Sequence, residues 1–101
     1  MATVTSKTLA RIAAATSSTT LYTVPASTTT VVTNIVVTNS AASAATFTIQ
    51  LDAVDLFKTV AIAANSTAMF DLKQVLATTK IIAGLASAIT VSFHISGVEI
   101  S

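Results

Sequence analysis

A chain of 101 residues with five basic and four acidic side chains, one histidine and no cysteine or tryptophan carries few groups for covalent chemistry. The length holds one domain, the missing cysteine excludes disulfides and thiolate metal sites, and a net charge of +1 without a basic stripe excludes the phosphate neutralisation that nucleic-acid binding requires. Although 52% of the residues are hydrophobic, only 5% are aromatic and much of the remainder is alanine, so a monomer has a thin core and association is the natural way to bury more surface.

Residues 1–18 are small, polar and weakly patterned, and read as an N-terminal arm. Leu9 and Ile12 are its larger apolar side chains, and Lys7 and Arg11 are the one local concentration of charge in the chain. These four residues are the candidate partner-binding positions, because an arm of this composition becomes ordered when a partner holds it. Ordinary solubilising charge on a tail is the competing reading of Lys7 and Arg11.

From residue 19 to 101 the signals are those of β structure. Thr20 to Val24 forms a first strand that Pro25 stops, since proline lacks the donor a strand interior needs. Thr28 to Asn39 is a long β-branched run, apolar on both faces, as a central strand is. Asn39 to Ser43 forms a loop. In the next strand Phe47, Ile49 and Leu51 alternate with Thr46, Thr48 and Gln50. Asp52 to Asp55 turns the chain into a strand from Leu56 to Ala63, and Ala64 to Ser66 turns it again. Ala68, Phe70 and Leu72 then alternate with Thr67, Met69 and Asp71. Lys73 to Thr79 is the least strand-like part and is compatible with one helical turn. Ile81 to Ala83, before Gly84, reads as a short edge strand. In the last strand Ile89, Val91, Phe93 and Ile95 face inward, and the opposite parity of Val98 and Ile100 predicts a bulge at Gly97. About eight short strands separated by frequent turns indicate an all-β antiparallel sandwich, jelly-roll or immunoglobulin-like, with an extended N-terminal arm.

The candidate chemistry is sparse. His94 is the sole imidazole and its strand parity puts it outside the core, too isolated for a metal site, which needs several converging ligands. Asp52 and Asp55 lack the glycine and oxygen density of a calcium loop, and turn formation is their ordinary role. No Gly-x-Ser-x-Gly elbow or glycine-rich phosphate cradle occurs. Tyr22 and Phe57, whose placement the alternation leaves open, are the only candidates for a sugar-stacking platform. No catalytic residue, metal or cofactor is expected. The apolar runs are too short and too often interrupted to span a membrane as a helix, and no signal peptide is legible, so the chain reads as a soluble product of a cytoplasm.

The segments Thr20–Ala26 (TLYTVPA), Thr30–Asn39 (TVVTNIVVTN), Ala63–Thr67 (AANST) and His94–Ile100 (HISGVEI) resemble, in style and order, small virion structural proteins of tailed bacteriophages. The resemblance extends over residues 19–101 and leaves the arm unmatched. It implies a non-enzymatic protein of the capsid cement or decoration type. Such a protein binds the major capsid protein on the surface of the virion as a homo-oligomer, a trimer, with arms bridging neighbours. A tail, neck or fibre component of the same fold is the alternative, and a carbohydrate-binding module is a more distant one.

Overall fold

Alternation of β-branched and aromatic residues with Thr and Ser produces eight strands in the computed structural model, which describes residues 3–101. They are β1 (Val4–Ala13), β2 (Thr19–Thr23), β3 (Thr29–Asn39), β4 (Ala45–Leu51), β5 (Val54–Ile62), β6 (Ser66–Leu76), β7 (Ile81–Ala86) and β8 (Val91–Ile100). Sheet A has the order β1-β8-β3-β6 and sheet B the order β2-β7-β4-β5, with every neighbouring pair antiparallel. The pairs β4·β5, β3·β6, β2·β7 and β1·β8 are nested, as in one long hairpin folded at the β4–β5 turn, and alternate pairs fall in opposite sheets. Winding such a hairpin into two packed layers is the jelly roll. Of the two expected sandwich types, strand order selects this one.

The core lies between the sheets. Val32, Ile35 and Val37 of β3, Phe47 and Ile49 of β4, Ile82 of β7, and Val91, Phe93 and Ile95 of β8 are all essentially inaccessible. The four phenylalanines form one cluster across the interlayer space: Phe47 lies 5.9 Å from Phe57, 6.2 Å from Phe70 and 6.2 Å from Phe93, and Phe57 lies 4.5 Å from Phe70. Two come from each sheet, so the aromatic content, small as it is, is spent on joining the layers. Each such ring contributes about 1.5–3 kcal/mol of burial, more than the alanines around it.

Several sequence expectations change in the fold. The expected arm, apart from residues 1 and 2, which lie outside the described residues, is largely strand β1. It pairs with β8 from Val4↔Ile100 to Ala13↔Ser92, and the backbone ladder continues through Thr3 and Ser101. The arm and sandwich are therefore joined by a continuous ladder. The sequence hides this because β1 is an edge strand that buries only Leu9 and Ala10, so no alternation shows. The helical turn expected within Lys73–Thr79 is the end of β6 followed by a loop; Gln74 occupies an inward position that the facing sheet leaves exposed, which breaks the pattern. The strand at Ile81–Ala86 is interior, flanked by β2 and β4, and continues through Gly84, the residue that makes Ile81–Ala83 read as a short edge strand. Ile89 lies in the turn before β8 and is 70% exposed.

The bulge expected at Gly97 belongs to the neighbours of β8. β1 carries an extra residue, Leu9, between Thr8↔Ser96 and Ala10↔Ile95, and β3 carries Thr33 between Val32↔Gly97 and Asn34↔Ser96. Val98 is thus simply on the outer face. A side chain at position 97 would place its Cβ 2.3 Å from the Val31 carbonyl oxygen and 2.9 Å from Leu9 Cδ1. Glycine here permits close backbone approach, and Leu9 occupies the space above it. The two-residue turn between β4 and β5 has Asp52 at φ 53° and Ala53 at φ 62°, the signs of a type I′ hairpin turn made without glycine.

Candidate functional site

Each of the four carboxylates is engaged by a neighbour. Asp52 pairs with Lys80 at 3.5 Å, and Asp55 accepts a 2.8 Å hydrogen bond from Gln50 and lies 3.9 Å from Lys58. Asp71 accepts from the Asn34 amide at 3.1 Å, and Glu99 accepts from Tyr22 and pairs with Lys7 at 3.4 Å. These pairs are dispersed over the sandwich, and no group of three metal-ligating side chains occurs among the described residues.

A part-buried polar cluster joins the two sheets at one end of the sandwich. Tyr22 of β2 reaches across to Glu99 of β8 and to Thr30 of β3, whose hydroxyl lies 2.8 Å from the phenol and is fully buried. Burial, and next the hydrogen bond to the Glu99 carboxylate, push the Tyr22 pKa above its ordinary value, while the Thr30 contact acts weakly in the opposite direction. The neutral phenol is thus favoured in the folded state. Its contribution to stability is complete below the unfolded-chain value of 10.0 and is lost as pH rises through the higher folded value. Tyr22 is the only tyrosine and there is no tryptophan, so tyrosinate absorbance reports this group alone. An alkaline titration should show a higher midpoint in the folded protein than in denaturant, and Tyr22→Phe should flatten the alkaline loss of stability. Coincident midpoints would show that the inter-sheet contact does not hold the neutral phenol.

The sugar-platform candidates are both occupied. Phe57 belongs to the interlayer aromatic cluster, and the Tyr22 hydroxyl is tied to Thr30 and Glu99. Of the arm residues, Lys7 is paired with Glu99 and Leu9 is buried over Gly97. Arg11 and Ile12 are exposed; Arg11 stands on the outer face of sheet A opposite His94, while Ile12 is 47% exposed at the sheet edge. The four residues share β1 but divide between internal contacts and the surface.

Sequence reasoning by residue type missed the outer face of sheet A as a unit. Register places its outward side chains in bands that run across the strands. One band is Ser6, Val98, Val31 and Val75; the next is Thr8, Ser96, Asn34 and Asp71; a third is Arg11, His94, Val36 and Met69. Val4 and Ile100 flank the first band, and Val4, Met69 and Val75 are among the most exposed large apolar side chains, at 66%, 72% and 69%. The two central strands put no formal charge on this face; Arg11 on β1 and Asp71 on β6 supply charge at opposite edges, with Lys73 beside the β3·β6 irregularity. A hollow lined by Thr33, Asp71, Leu72 and Lys73 opens at that irregularity. The apolar character of both parities in Thr28 to Asn39 was the sequence signal for this surface.

The fold and its contacts define a jelly roll whose carboxylates are each engaged by a neighbouring side chain and whose outer sheet faces are apolar and weakly charged. The sequence matches no protein-family model and no curated protein. Among solved structures it is similar to a chain in the structure of infectious bursal disease virus Gx strain, at 15% identity and a TM-score of 0.47. The alignment covers 98% of this chain and 31% of that one, so the present chain spans under a third of its length.

Proposed function

We propose that this chain is a non-enzymatic virion structural protein that binds and stabilises a phage head through contacts with the major capsid protein. The observation that carries the reading is the outer surface of the sandwich. Sheet A presents Val4, Val31, Val75, Val98 and Met69, and the central strands of sheet B present Thr46, Gln50, Ile81 and Leu85. Such surfaces meet another protein without the desolvation cost of burying charge. Within the β1 segment, Arg11 and Ile12 are the side chains left for a partner, because Lys7 and Leu9 hold β1 to its own sheet.

The test is co-sedimentation of the purified protein with phage heads stripped of it, counting copies per particle. Saturation at a number matching the surface lattice, with little change as salt is raised, is the expected result, because apolar contact is not screened. A steep loss with salt would overturn the apolar mechanism. Binding of only a few copies would move the protein to the neck, tail or fibre, the alternative address for the same fold. Absence of binding would remove the capsid reading.

A further inference from the structure

We infer that the outer face of sheet A is a self-complementary interface for a second copy of this chain, related by a two-fold axis parallel to the strands. The argument rests on how the face is banded. Because each band runs across the strands, rotation about an axis along them reverses strand order but returns every band to its own level. β1 then lies over β6 of the second copy and β8 over β3. Val98 meets Val31, and the polar band of Ser96 and Asn34 meets itself. Arg11 extends over Met69, and Asp71 lies one band away on the same strand, on the order of 7 Å along it and within reach of a guanidinium across packed sheets about 10 Å apart. Symmetry makes this contact twice. Lys73 lies farther along β6, on the side of Asp71 away from Arg11.

Charge placement selects this operator. A two-fold axis perpendicular to the strands, in the plane of the face, would set β1 over β1 and β6 over β6, separating Arg11 from Asp71 by the width of the sheet. Four strands of about ten residues present roughly 600 Å² per copy, which approaches the size of a standard stable interface. A two-fold contact is isologous and closes as a dimer, whereas the three-fold ring expected of cement proteins needs two different surfaces. The pairing is measured without capsids; in the dimer the sheet A face is covered, and capsid contact falls to the outer face of sheet B, where Thr46, Gln50, Ile81 and Leu85 stand.

Sedimentation equilibrium of the full chain tests it. A dimer is expected for the unaltered protein, and Val98→Lys, in the apolar band on the central strand β8, should dissociate it. Ala61→Lys, on the outer face of sheet B, should leave the dimer unchanged. Arg11→Glu and Asp71→Arg should each weaken dimerisation about tenfold, counted over two symmetric contacts, and their combination should restore it. Circular dichroism establishes that the variants fold; if Val98→Lys does not, the charge-reversal pair decides. A monomer or trimer for the unaltered chain, or charge reversals without mutual rescue, would overturn the inference.

Discussion

Replacing Asn39 with alanine should lower the unfolding free energy by about 3 kcal/mol, a large share of what a domain of this size possesses. Asn39 ends β3 and is 1% exposed. Its amide nitrogen donates to the carbonyl oxygens of Ser43 at 2.9 Å, Ala63 at 3.3 Å and Ile62 at 3.5 Å. Its side-chain oxygen accepts from the Ala41 backbone N–H at 3.1 Å and the Thr90 hydroxyl at 3.2 Å. One side chain thus ties together the β3–β4 loop, the end of β5 and the turn before β8. Alanine leaves these groups without partners in a site too enclosed for water to replace every contact. Asn39→Asp keeps the shape and the accepted bonds but turns an oxygen toward the carbonyls, so it should be at least as damaging as alanine. Chemical denaturation of both variants measures this; an aspartate variant as stable as the native protein would show that the donated bonds contribute little.

Gly97→Ala should cost about 2–3 kcal/mol, the range of overpacking in a closed site. The new Cβ would stand 2.3 Å from the Val31 carbonyl oxygen, which is backbone and cannot rotate away. Gly84 supplies the comparison: its nearest atom is Leu21 Cδ1 at 3.0 Å, the end of a flexible side chain, so Gly84→Ala should cost markedly less. Shortening Leu9 to alanine beside Gly97→Ala removes the side-chain contact but not the backbone one, and should fail to rescue the variant. Full rescue would place the conflict in Leu9 and leave the β3–β8 approach unconstrained. Amide exchange along β1 and β8 would locate the damage, since the extra residues of β1 and β3 both flank this point.

Both sites show where local pattern stops being informative. Asn39 reads as the first residue of a loop, because asparagine is a turn former, and nothing in its neighbours announces that Ile62, Ala63 and Thr90 will converge on it. Gly97 reads as a bulge because Val98 and Ile100 change parity. The change is real, but β8 remains regular and the extra residues lie in strands distant in sequence. Thr33 likewise shifts the inward set of β3 from Thr30 and Val32 to Ile35 and Val37, so a strand apolar on both parities is partly a strand with an irregularity in it.

The candidate surface was legible only in fragments. Met69 and Asp71 alternate with core residues and read as outward, and Val31 and Val36 read as apolar beyond the needs of one face. Their union into bands depends on register across β1, β8, β3 and β6, which meet from opposite ends of the chain. The arm residues were grouped by proximity in sequence. Their division follows from the β1–β8 ladder, which turns Lys7 toward Glu99, seats Leu9 over Gly97 and leaves Arg11 outside.

Composition and alternation alone determined an all-β chain, its main turns, most of its inward residues and a surface poor in charge and reactive groups. These follow from each residue's own preference and from a side-chain period of two, both local properties. Tertiary structure decided that β1 is an edge strand, that Ile81–Ala86 is interior, that the sandwich is a jelly roll, and that Asn39 and Gly97 are critical. Those outcomes depend on which strands meet and in what register, and that is set by the joint burial of side chains far apart in the chain.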